Sequence, residues 1–150
     1  MDISDFDYDE DNFEKDLTKF SVGFSKAKTY FFERVDHWKL LIDAKRFNNI
    51  LLNEDLGSNQ VTGQILGKQF ALRLSPITRG DHGLAAVLLT LKDPVNGKQI
   101  ELDRFNLNVN GEVVSSSGET LLKPQHQDET ASIRLFYAIL LRVMKAEPWA

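Results

Sequence analysis

A chain of 150 residues, 42% hydrophobic and 27% charged, has the size and composition of one folded domain, which argues against wholesale disorder. It has no cysteine, which removes disulfide frameworks, thiolate metal sites and cysteine nucleophiles together. The formal charge of −4 is unevenly spread: residues 1–16 hold eight carboxylates against Lys15, a net of −7, while the remainder carries 17 basic and 14 acidic residues, a net of +3.

The opening residues Met1-Asp2-Ile3-Ser4-Asp5 have neither the basic start nor the apolar core of a secretion signal. Arginines interrupt the longest apolar run well short of a membrane span. A soluble, cytoplasmic protein is therefore expected.

In chain order, residues 1–11 form an acidic segment with only Ile3, Phe6 and Tyr8 to bury, so a disordered tail is expected ahead of a single domain over 12–150. Phe6, Tyr8 and Phe13 interleave with carboxylates such as Asp9, a composition suited to ordering on a protein partner: aromatics anchor and charge steers. Asp5-Phe6-Asp7-Tyr8-Asp9 also has the alternate carboxylates that open a calcium loop. Glu10 stands where that loop needs glycine, however, and Asp16 where it needs a bidentate glutamate.

Apolar residues recur at Phe13, Leu17, Phe20 and Phe24, then at Phe31, Val35, Trp38 and Ile42, the period of an amphipathic helix. Gly23 reads as a break, giving helices over 12–21 and 26–55, with Gly57 as the stop. From Gln60 the period changes to two. Phe70, Leu72 and Leu74 alternate with polar or small residues, Gly67-Lys68 suits a hairpin, and Leu84–Leu91 is apolar on both parities like a central strand. Asn96-Gly97 and Asn110-Gly111 suit type I′ turns, and a parity flip after Leu102 suggests a bulge near Asp103-Arg104. Residues 115–127 read as a polar loop. The expected fold is α+β: an antiparallel sheet of four to five strands (61–66, 69–75, 84–92, 98–109, 112–116), the N-terminal helices, and a C-terminal helix over 129–146 N-capped by Asp128.

That last helix is apolar over most of its circumference, with Arg134, Ala138, Arg142 and Lys145 as its polar stripe, so it must be buried on more than one side. A core position is the plain reading. The sharper one makes Phe136, Leu140 and Met144 part of an interface, a homodimer among the options.

Chemistry-bearing motifs are sparse. His37 sits at the edge of a helical stripe. Arg79, Asp81 and His82, in Arg79-Gly80-Asp81-His82-Gly83, are the one local acid–base cluster, in a segment that also reads as a turn. His126 and Asp128 lack the spacing of a metal site, and Ser115-Ser116-Ser117-Gly118-Glu119-Thr120 lacks the lysine and glycine spacing of a phosphate loop. Lys68, Arg73, Lys92, Lys98 and Arg104, with Phe70 and Phe105, would supply a basic sheet face for nucleic acid, masked by the acidic tail. No catalytic residue, metal or cofactor is expected. The leading expectation is a non-enzymatic protein-binding or adaptor domain, contacting its partner through Phe6, Tyr8, Asp9 and Phe13 or through the apolar C-terminal helix, with nucleic-acid binding as the alternative.

Overall fold

In the computed structural model, which describes residues 1–123 and 129–148, the first helix, α1, runs unbroken from Glu10 to Lys45. A 3-10 turn at Ile3–Phe6, capped by Asp2, precedes it. Asp9 is the N-cap of α1, its carboxylate accepting the Asn12 N–H at 2.8 Å, and Glu10 and Asp11 occupy the first turn, where the helix dipole favours negative charge.

The expected break at Gly23 does not occur. Gly23 is buried inside the helix, and a Cβ there would lie 2.6 Å from the Gly83 carbonyl oxygen; a Cβ on Gly83 would in turn collide with the Phe20 carbonyl. Two missing side chains let a helix backbone and a strand backbone touch. That close approach outweighs the roughly 1 kcal/mol that glycine costs in a helix interior.

The helix ends earlier than its hydrophobic pattern suggests. Arg46 takes a left-handed conformation (φ 54°), and its N–H closes onto the Ile42 and Asp43 carbonyls. Residues Ile50–Asp55, expected to be helical, are strand β1, with Ile50 and Leu52 buried and Leu51 exposed. Ile50, Leu51 and Leu52 fit both periods, and the capping at Arg46 together with pairing to the next strand separates the two readings.

The sheet is a seven-stranded antiparallel meander in chain order, more strands than expected: β1, β2 (Gln60–Ile65), β3 (Lys68–Arg79), β4 (His82–Lys92), β5 (Gln99–Leu107), β6 (Val113–Val114) and β7 (Thr120–Leu122). The hairpin between β2 and β3 turns at Leu66 and Gly67, both with positive φ, as a type I′ turn requires. The two Asn-Gly turns differ from expectation: Gly97 and Gly111 have positive φ but their asparagines do not. Asp93 accepts the Val95 N–H, and Asn108 accepts the Asn110 and Glu112 N–H groups, so side chains organise these loops. The bulge lies at Leu102, one residue before the expected pair, because Leu89 faces Asp103 while Thr90 faces Glu101. Strand β3 continues through Pro76, past the end of β2, where a missing N–H breaks no ladder on that side.

One face of the sheet carries Val61, Phe70, Leu72, Leu74, Val87, Leu89, Phe105 and Leu107 into a single core with α1 and the C-terminal helix α2 (Glu129–Lys145). Trp38 is the hub. It stacks on Phe136 at 5.0 Å, meets Phe31 edge-on at 6.0 Å, and donates its indole N–H to the Ser132 carbonyl at 2.9 Å. Arg34 is buried nearby, with Nη2 donating to the Gly111 carbonyl, and burial lowers its pKa from the ordinary value.

Glu54 on β1 gives the fold a pH dependence. Burial first, then a hydrogen bond with Asp36 and its charge, raise the Glu54 pKa, while Lys39 at 3.8 Å opposes them. The folded state therefore holds this proton more tightly than the unfolded chain. Stability from Glu54 is complete below the ordinary value of 4.5 and is lost as pH rises through the raised folded value. Glu54→Gln is expected to raise the melting temperature at neutral pH and to lose that advantage below the ordinary carboxyl range. Melting curves of both proteins across pH check this, and an advantage that persisted in acid would contradict it.

Candidate binding groove beside the C-terminal helix

Helix α2 packs against α1, β2 and β3 through Leu135, Phe136, Ile139, Leu140 and Val143, all buried. Lys68 fixes its C-terminal end by donating from Nζ to the Met144 carbonyl at 2.9 Å and to those of Val143 and Ala146. The opposite face presents Arg134, Tyr137, Ala138, Leu141, Arg142 and Met144 to solvent.

This register corrects the interface expected from sequence. Phe136 (1% exposed) and Leu140 belong to the core, and Met144 alone of the expected three is exposed. One residue along a helix is a 100° rotation, so the outward apolar ridge is Tyr137, Leu141 and Met144. On one side of the ridge lies a depression of about 590 Å³ against Phe47, Ile50 and Ile65.

On its other side lies a groove of about 1010 Å³, between α2 and strands β5–β7. Leu89, Phe105, Val113, Leu122, Leu135 and Ile139 are among the apolar residues lining it. Arg104, Arg134, Arg142 and Lys145 also line it, against one carboxylate, Asp103. Arg142 engages that carboxylate at 3.1 Å, and Arg104 is paired with Glu101, outside the groove. The same bond holds the Glu101 carboxyl below its ordinary pKa. Arg134 and Lys145 make no ion pair among the described residues. An apolar floor beside cations suits a ligand with an apolar stripe and flanking negative charge.

The remaining expected sites fall elsewhere. Arg79, Asp81 and His82 lie at the exposed β3–β4 hairpin, where Arg79 donates to the Ser116 carbonyl, and none of the three lines the cavities described above. Acid–base chemistry needs a concave, desolvated setting, which a hairpin tip does not provide. His126 and Asp128, including the expected N-cap, lie outside the described residues. Among the described residues no group of three or more His, Asp or Glu is placed to hold a metal ion. No helix among them is long and apolar enough to cross a membrane.

Phe70 and Phe105 point into the core, so the expected stacking platform for bases is not formed. Arg73 and Lys92 do line a depression of about 320 Å³ on the other face of the sheet, among Gln60, Gln64, Gln69 and Gln99. Lys68 is engaged at the end of α2 and Arg104 by Glu101. Phe6, Tyr8, Asp9 and Phe13 are all exposed at the start of the chain, with Asp9 serving as the cap of α1.

No family model, curated protein or solved structure matches the chain. The site itself carries the functional reading. The sequence marks the cations of α2 as a polar stripe but gives no sign that Leu102, Leu121 and Leu122 face them across a groove, because residues 120–122 read as loop.

Proposed function

We propose that this chain is a non-enzymatic protein-binding domain that takes an acidic amphipathic helix of a partner into the groove between α2 and β5–β7. The observation that carries the reading is the pairing of an apolar floor with four cations and one carboxylate. A helix laid in such a groove buries its apolar stripe on the floor while its carboxylates meet the arginines and the lysine, the helix-in-groove mode of recognition. Apolar contact supplies the affinity, and charge supplies the encounter rate and the orientation.

The test titrates a designed acidic peptide, with phenylalanine and leucine at helical spacing, against the full chain and its Ala138→Trp variant. Ala138 is exposed and lines the groove, so an indole there fills the groove without entering the core. Saturable binding is expected, weakened about tenfold or more by Ala138→Trp, as when a central contact pocket is obstructed. Added salt should weaken it further by screening the rim. No saturable binding, or binding indifferent to Ala138→Trp, would overturn the reading. Displacement of the peptide by single-stranded RNA, with loss of RNA binding on Arg73→Glu, would move the function to the opposite face of the sheet.

A further inference from the structure

We infer that the occupant of the groove is the amphipathic N-terminal arm of a second copy of this chain, an inference that rests on the protein-binding reading above. Residues 10–19 of α1 extend N-terminal to the contact that Phe20 and Gly23 make with Gly83, and the large apolar side chains among them are exposed: Phe13 is 55% exposed and Leu17 56%. They continue, at steps of four, three and four, a stripe whose other members are taken up by the domain itself. Phe20 is half-buried and Phe24 packs on the core, so Phe13 and Leu17 are the pair left to a groove. Beside the stripe stand Glu10, Asp11, Glu14 and Asp16 against Lys15 and Lys19, a net of −2, and the acidic residues 2–9 precede them. The groove has the opposite character, with four cations to one carboxylate.

The dimensions agree. Ten helical residues span about 15 Å, within the stretch of about 18 Å over which α2 lines the groove from Arg134 to Lys145. A copy cannot fill its own groove this way. Helix α1 is continuous from Glu10 to Lys45, its one interior glycine is pinned against Gly83, and no α1 residue lines the groove. A second copy has no such constraint. Reciprocal exchange, each copy giving an arm and receiving one, closes a twofold pair, and the first contact raises the effective concentration for the second.

Sedimentation velocity on the full chain across a dilution series tests this. Two variants alter exposed positions: Phe13→Ser with Leu17→Ser removes the arm's stripe without changing charge, and Ala138→Trp fills the groove. Circular dichroism establishes that both fold. The parent is expected to form a dimer that high salt dissociates, each variant alone is expected to be monomeric, and an equimolar mixture is expected to form a heterodimer. In that mixture one partner keeps its groove and the other its arm. A parent that stays monomeric, self-association that neither variant changes, or a mixture that fails to pair would overturn the inference. If the designed peptide still binds in an Ala138-sensitive manner in any of those cases, the protein-binding reading stands and only the identity of the occupant falls; if it does not bind, both fall.

Discussion

Trp38→Ala is expected to lower the unfolding free energy by about 3–5 kcal/mol, the range for removing a large aromatic from a packed core. The indole is fully buried, stacks on Phe136 at 5.0 Å, meets Phe31 edge-on, and satisfies the Ser132 carbonyl of α2. Removing it leaves a cavity between the two helices and the sheet and an acceptor without its donor, and the two losses add. Urea unfolding followed by far-ultraviolet circular dichroism reads the change as a lower midpoint with little change in slope. A loss below about 1 kcal/mol, typical of a surface position, would place Trp38 outside the core. Phe136→Asp and Tyr137→Asp form a companion pair one residue apart. The first places an unpaired carboxylate against Trp38 and is expected to prevent folding, whereas the second lies on the exposed ridge and is expected to fold normally.

Gly23→Ala gives the other large effect, and its sign separates two explanations. In an isolated helix the substitution would stabilise by about 1 kcal/mol, because alanine is the better helix former. Here the added methyl would sit 2.6 Å from the Gly83 carbonyl oxygen and 3.0 Å from the Gly83 Cα, both backbone atoms of β4, which is paired with Thr78 of β3 at this point. A net loss of about 2–3 kcal/mol is expected, as for overpacking in a rigid site, and Gly83→Ala, which meets the Phe20 carbonyl, should cost at least as much. Gly57→Ala, whose nearest neighbour would be an Asp55 carboxylate oxygen at 3.6 Å, serves as the control and should change little. Stabilisation by Gly23→Ala would mean that helix and strand do not meet at this point. The contact also bears on the proposed exchange, because it fixes the direction in which the arm leaves the domain.

The groove and the arm have a common physical character. Each is an apolar surface framed mainly by charge of one sign, and the predominant signs are opposite. Their cations and carboxylates lie at exposed positions, where single ion pairs contribute little to stability, about 0–1 kcal/mol at the median. Their effect is therefore expected on association rate, orientation and salt dependence, with the phenylalanines and leucines supplying affinity.

By itself the sequence determined the α+β class, the amphipathic N-terminal helix, the alternation that buries Phe70, Leu72 and Leu74, the two-sided apolar pattern of the fourth strand, and the bounds of the C-terminal helix to within a residue. These are local periodicities over many residues, and hydrophobic patterning records them directly. It also located the acidic, aromatic start of the chain and the cationic stripe of α2. Tertiary structure decided the rest. Gly23 reads as a break until Gly83 is seen against it, because propensity is local and a close approach of two backbones is not. Ile50–Asp55 fits helix or strand until pairing with β2 selects one, and the two- and three-residue strands β6 and β7 have too few residues to show a period. Phe136 and Tyr137 are equally apolar in sequence. Which of them faces solvent was settled by a 100° rotation about α2, set by the stacking of Phe136 on Trp38, 98 positions away in the chain.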